Sequence, residues 1–227
     1  MSESQSETAS VRARLQARLR AHGPSTLDDG ELLELLLVRA CSRGDPRAAA
    51  AALLERFGSL PALSAASADE LARVAGLGPA AVRDLQLIHE LTVRLTRGAA
   101  VGRPVISSWT ALLSYVRVCL AEQPREQFRA LFLDTRNRLL RDELVNHGTV
   151  DHAPVYPREV IRRALELSAA ALILVHNHPS GDPTPSRADI EMTRQIVEAG
   201  RVLKIAVHDH LVVGRDGVAS FKSLGLM

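Results

Sequence analysis

The chain has 227 residues, 46% of them hydrophobic and 24% charged, with a net charge of +2. That length admits one large domain or two small ones, and the composition supports a packed core rather than a disordered polymer. It excludes a disulfide scaffold or a cysteine-based zinc site, since Cys41 and Cys119 are two, widely spaced, and read as buried thiols; no apolar run reaches the roughly 20 residues of a membrane helix, so the expectation is a soluble, cytoplasmic protein without membrane contact.

Residues 1–10, MSESQSETAS, carry no large apolar side chain after Met1; they read as a loose tail and lack the apolar centre of a signal peptide. Residues 11–98 form a small all-α domain, with apolar residues at three- and four-residue intervals and Gly/Pro punctuation at Gly23-Pro24, Gly44-Asp45-Pro46 and Gly58 to Pro61. Residues 1–100 hold 12 basic and 12 acidic groups, a balance without the positive excess of a strong DNA binder. Within them, ADELARVAGLGPAAVRDLQLI (68–88) predicts two short helices around Gly76-Leu77-Gly78, with Pro79 opening the second. This segment resembles a helix-hairpin-helix motif, in which Gly76 and Gly78 would let backbone amides approach a phosphate and contact DNA without sequence preference. A glycine-turned hairpin that packs apolar faces is the alternative reading, and Ala80-Ala81 stand where a DNA-binding version would present cations.

Residues 96–108, TRGAAVGRPVISS, are small and weakly patterned, which places a linker at 99–108 and a second domain at 109–227. There a helix is expected over 109–121, capped by Ser107 or Ser108, followed by two strands, FRALFLD and RLLRDELVN, around the turn Asp134 to Asn137. Pro157 opens a helix to about 167, and the strand AALILVH follows. A helix over 187–199 ends at Gly200, and three short strands, VLKIAVHD, HLVVG and VASF, close the chain. The alternation of strands and helices predicts an α/β layered fold behind the small all-α domain.

The loop after AALILVH carries the chemistry. Side chains alternate along a strand, so His176 and His178 share one side and can share a metal ion. Ser186 reads as the N-cap of the next helix, which sets Asp189 on the first turn, facing the strand end as a third ligand. Two histidines and one carboxylate leave a tetrahedral position for water, the arrangement of a catalytic zinc. Pro179, Pro183 and Pro185 stiffen the loop between them, and Asp182 reads as a turn residue. A second HxH, His208-Asp209-His210, also reads as a strand end but is followed by no third ligand, so one ion is expected. His147 and His152, flanking Gly148-Thr149, are expected to reach solvent.

His176, His178, Ser186 and Asp189 match the HxHx7SxxD signature of JAMM (MPN-domain) metallopeptidases. With LFLDTRNRLL, HNHPSGDPTPS and DHLVVG, nearly the whole chain resembles the bacterial RadC family. The resemblance implies a mixed sheet flanked by helices, of MPN or cytidine-deaminase-like type. It also implies one zinc ion held by His176, His178 and Asp189, and hydrolysis of a peptide or isopeptide bond in a protein or peptide substrate. By the family pattern Glu126 activates water, with Glu143 the rival for that role, and Ser186 donates a hydrogen bond to the oxyanion. The alternative, from a different class, is a DNA-associated repair or recombination accessory protein whose zinc is not catalytic. Oligomeric state is not readable from the chain.

Overall fold

The computed structural model describes residues 13–40, 45–100, 109–147 and 155–227. The expected tail at 1–10, Cys41, most of the expected linker, His152 and the side chain of His147 lie outside the described residues. The chain divides into two compact units, Met1–Leu91 and Thr92–Met227.

The first unit is helical: α1 (13–22), a 3-10 turn at Pro24–Thr26, α2 (Asp29–Ala40), α3 (Pro46–Phe57), α4 (Leu60–Ala65), α5 (Ala68–Ala72) and the start of α6 (Pro79–Ala100). Local chemistry sets these boundaries. The Asp45 carboxylate accepts from Arg47 N, and Gly58, at φ 75, closes α3 with its N–H on Leu54 O. Ser67 and Glu70 form a reciprocal capping box at α5. Leu33, Leu37, Leu53, Leu71, Val82 and Leu85 supply a buried core. The weakly patterned TRGAA segment is helical through Ala100, and the division between units falls inside α6.

The second unit contains α7 (Trp109–Leu120), β1 (Gln127–Leu133), β2 (Leu139–His147), α8 (Pro157–Glu166), β3 (Ala171–Asn177), α9 (Arg187–Val202), β4 (Ala206–Gly214) and β5 (Gly217–Ser220). The five strands form one mixed sheet in the order β2-β1-β3-β4-β5. Only β3 and β4 are parallel, joined through α9; the other pairs are antiparallel. Every residue of β3 is buried, because both faces are covered. Ile173 and Val175 join Leu131, Leu211 and α7 residues Leu112, Tyr115 and Val116 in one core. Leu172 and Leu174 join Phe128, Phe132, α8 residues Val160 and Ile161, and Ile196 of α9 in the other. This is the α/β mixed sheet flanked by helices, with an all-α region before it.

Three expectations are corrected. The segments taken as separate strands around His208-Asp209-His210 form one strand, β4. Polar residues there suggested a break, but Asp209 is 3% exposed and fully engaged, accepting from Ser220 Oγ at 2.6 Å, His210 N at 2.8 Å and Lys222 N at 3.0 Å. Gly200 lies inside α9 instead of ending it, and its missing side chain serves another purpose: a Cβ there would stand 2.6 Å from Ile205 O. Cys119 is half-buried rather than fully buried, and that burial still pushes its thiol up to about 11.

Candidate metal centre

The C-terminal end of β3 meets the N-terminus of α9, and the two histidines and the aspartate come together there. His176 lies on the Leu172–Leu174 face by alternation, and Phe128 stands opposite it on β1, the rings stacked at 6.1 Å. His178 follows β3, its N–H donating to Val213 O at 3.0 Å. Its Nδ1 lies 2.9 Å from Asp182 O; a carbonyl only accepts, so Nδ1 carries the hydrogen and the neutral ring presents a lone pair at Nε2. The Asp182 carboxylate accepts from Thr184 N and Oγ1, the turn role expected of it.

Ser186 caps α9 as expected, and Asp189 completes a capping box: the Ser186 hydroxyl and N–H donate to Asp189 Oδ2 at 2.6 and 2.7 Å, while Ser186 Oγ accepts from Asp189 N at 3.2 Å. The cap thereby fixes the carboxylate toward the histidines. His176 Nε2 is 3.4 Å from Asp189 Oδ1, His178 Nε2 is 3.5 Å from Oδ2, and the two Nε2 atoms are 3.0 Å apart. Among the described residues this trio is the group of His, Cys, Asp and Glu side chains able to hold a metal ion, its ligand atoms all within 4.8 Å of one another.

These distances test whether a metal fits. Ligands about 2.05 Å from a tetrahedral ion stand roughly 3.3 Å from each other, close to the separations here, which run from His176 Nε2 to Oδ1 and from His178 Nε2 to Oδ2 of the carboxylate. Imidazole nitrogens with carboxylate oxygen form a donor set suited to zinc and its neighbours. Burial pushes the Asp189 carboxyl upward, but the His176 and His178 imidazoles beside it and the Ser186 hydroxyl outweigh it and hold the group well below the usual carboxylate range. The Asp189 carboxylate beside it raises His178, against its desolvation, with the Asp182 carbonyl and the Glu126 charge contributing in the same direction.

Glu126 directly precedes β1. The register Phe128↔His176 carried two residues further sets position 126 opposite position 178, on the same sheet face as the histidines. Asn177, pointing to the other face, anchors that segment: its Oδ1 accepts from Gln127 N at 2.8 Å, and its amide donates to Gln123 O at 3.3 Å and Arg125 O at 3.2 Å. Glu143 stands opposite Ala130 on β2, beyond β1 from the histidines, where Arg163 Nε and Nη2 hold it at 2.7 and 2.5 Å. That ion pair keeps its carboxyl below the ordinary range despite partial desolvation. In the helical unit, Gly76 sits at φ 84 before α6, its Cβ position 3.7 Å from Ala49 Cβ, and Pro79 begins the helix after Gly78.

Sequence reasoning missed the partner of His176. His176 Nδ1 lies 2.8 Å from His210 Nε2, inside a wall made by Phe128 and by Phe221, whose ring stacks on His210 at 4.5 Å. The Asp-His pair within DHLVVG was the available signal, and its assignment as a strand end concealed it.

A scan against protein-family models matches residues 106–226 to the RadC-like JAB domain and residues 8–82 to the UPF0758 N-terminal domain. Glu126, His176, His178, Ser186 and Asp189 all fall inside the first match, and Gly76 and Gly78 inside the second. Domains of the JAB fold are often metal-dependent hydrolases, and the match spans more than half of the chain, which therefore belongs to the RadC-like JAB family.

Proposed function

We propose that this protein is a zinc-dependent hydrolase that cleaves a peptide or isopeptide bond. One observation carries the reading: the Nε2 atoms of His176 and His178 and the Asp189 carboxylate face a common point, with Glu126 on the same sheet face. Three protein ligands suit a tetrahedral ion that keeps a position for solvent, as catalytic rather than structural zinc does. A zinc ion supplies Lewis acidity there and lowers the pKa of water from about 15.7 to near 7.

The chain's own groups do the rest. Asp189 and the two imidazoles hold the ion, and the Ser186 cap and the Asp182 carbonyl keep those ligands aimed. Glu126 takes a proton from the water whose oxygen bonds to the carbonyl carbon and gives it to the amine as the C–N bond breaks, while Asn177 holds the Glu126 segment against β3. Ser186 gives its hydroxyl hydrogen to Asp189 Oδ2, so a contribution to the oxyanion requires that hydroxyl to turn toward substrate.

The test compares the zinc-loaded protein with Glu126→Gln and Glu143→Gln on a library of peptides and isopeptide-linked peptides. Cleavage lost by roughly 10²- to 10⁴-fold in Glu126→Gln alone, with zinc content unchanged, supports the assignment. Loss in Glu143→Gln instead would move the base to that residue. Bound zinc with no turnover on any substrate would overturn the hydrolase and favour an accessory protein with a non-catalytic ion.

A further inference from the structure

We infer that His210 and Thr193 form a buried hydrogen-bond relay that locks His176 in the tautomer whose Nε2 faces the metal point, making both of them positioning residues of the centre. The inference rests on the metal-centre reading above, yet its evidence is the direction of each hydrogen bond. Thr193 Oγ1 stands 2.6 Å from Asp189 O, one helical turn back on α9. Two oxygens that close need a hydrogen between them, so the hydroxyl donates to that carbonyl. The same Oγ1 is 2.6 Å from His210 Nδ1 and has no second hydrogen to give, so Nδ1 is the donor.

His210 is 0% exposed and its two ring nitrogens meet only Thr193 Oγ1 and His176 Nδ1, with no carboxylate on the ring to offset a buried charge, so Nε2 is left as an acceptor. The 2.8 Å contact with His176 Nδ1 then requires the hydrogen on Nδ1 of His176, which frees its Nε2 lone pair. Asp182 O imposes the same tautomer on His178. Two lone pairs consequently oppose each other 3.0 Å apart beside a carboxylate, an arrangement that calls for a cation between them. Both nitrogens of His210 are engaged, which is why a third imidazole at the centre is not a fourth ligand.

A bulge in β4 makes the relay possible. Leu172 pairs with Val207 but Ile173 pairs with Asp209, so His208 is the inserted residue and His210 falls opposite Leu174, on the face of His176. Without the insertion Asp209 would stand there, a carboxylate beneath His176 in place of an imidazole. His208 instead turns to Asn137, its Nε2 2.6 Å from Asn137 Oδ1.

The experiment uses the full chain, metal-free and zinc-loaded. Imidazole nitrogen NMR shifts of the metal-free protein are expected to show His176 and His210 each protonated on Nδ1 alone. Zinc affinity by chelator competition is expected to fall roughly 10- to 100-fold in His210→Phe, which keeps the stacking on Phe221. Thr193→Val, with the shape kept and the hydroxyl removed, is expected to weaken zinc binding and give mixed His210 tautomers, and Thr193→Ser to restore both. Should His210→Phe fail to fold by circular dichroism, the threonine pair decides. His176 protonated mainly on Nε2, or Thr193→Val indistinguishable from wild type in both readouts, would overturn the relay. If wild type binds no zinc the metal-centre reading fails, and the nitrogen shifts still decide the relay; if zinc binds without hydrolysis, only the hydrolase fails.

Discussion

Gly214→Ala is expected to weaken zinc binding from a position that contributes no ligand. A Cβ on Gly214 would lie 2.0 Å from Gly181 O, 2.7 Å from Gly181 C and 3.1 Å from Pro183 N. Side-chain carbons do not approach oxygen closer than about 3 Å, so the loop must retreat by roughly 1 Å. Asp216 N on Gly181 O at 3.2 Å and Arg215 on Pro179 O and Ser180 O at 3.3 and 3.0 Å tie that loop to the β4–β5 turn, so the strain has no easy outlet. The loop also carries the Asp182 carbonyl that His178 Nδ1 contacts at 2.9 Å. A retreat of ~1 Å takes that pair beyond hydrogen-bond distance and frees the His178 tautomer. Loss of such a partner lowers metal affinity by about 10- to 100-fold, and overpacking costs about 1–3 kcal/mol of stability. Zinc affinity is read by chelator competition at a temperature where the variant is folded. Gly98→Ala, in open space on α6, is the control and should leave affinity unchanged. A Gly214→Ala protein that is less stable but binds zinc as tightly as wild type would refute the link between loop position and ligand orientation.

Ser186→Ala removes both the α9 cap and a hydrogen bond to the Asp189 carboxylate; it is expected to cost about 1 kcal/mol in urea melts and to lower zinc affinity about tenfold or more. Asn177→Ala removes a fully buried side chain and leaves two part-buried backbone carbonyls and one N–H without their partner, a loss of about 1–2 kcal/mol. It should lower turnover with zinc content retained, as the segment carrying Glu126 loosens. For Glu143 the folded carboxyl lies below its unfolded value because Arg163 pairs with it, so the contribution is present above the unfolded pKa and disappears as pH falls through the folded one. Glu143→Gln should therefore be less stable than wild type by up to ~1 kcal/mol near neutral pH, with the gap closing in acid; a gap independent of pH would sink that account.

What the sequence disclosed of the centre followed from local rules. Alternation along a strand places His176 and His178 together, and cap spacing brings Asp189 to the first turn of α9, neither needing knowledge of distant partners. The α/β layering was readable from the order of helical and extended segments, while the mixed sheet came from the family resemblance. His210 was hidden because its face depends on the register of β4 against β3, and a single inserted residue at His208 reverses that face. Thr193 is an ordinary helix position until the imidazole of a strand 17 residues away arrives beside it. Likewise Asp209 resembles a strand break in isolation, since its donors come from Ser220 and Lys222 at the end of the chain.

X-ray absorption at the zinc edge, on protein loaded with one equivalent of zinc, measures the centre most directly. The expected spectrum contains two imidazole nitrogens at about 2.0–2.1 Å and oxygen donors at about 2.0–2.2 Å, one of them exchangeable solvent. His178→Ala should remove one imidazole and weaken binding. A third imidazole or a sulfur in the spectrum, or a coordination shell left intact by His178→Ala, would contradict a three-ligand hydrolytic centre at the end of β3.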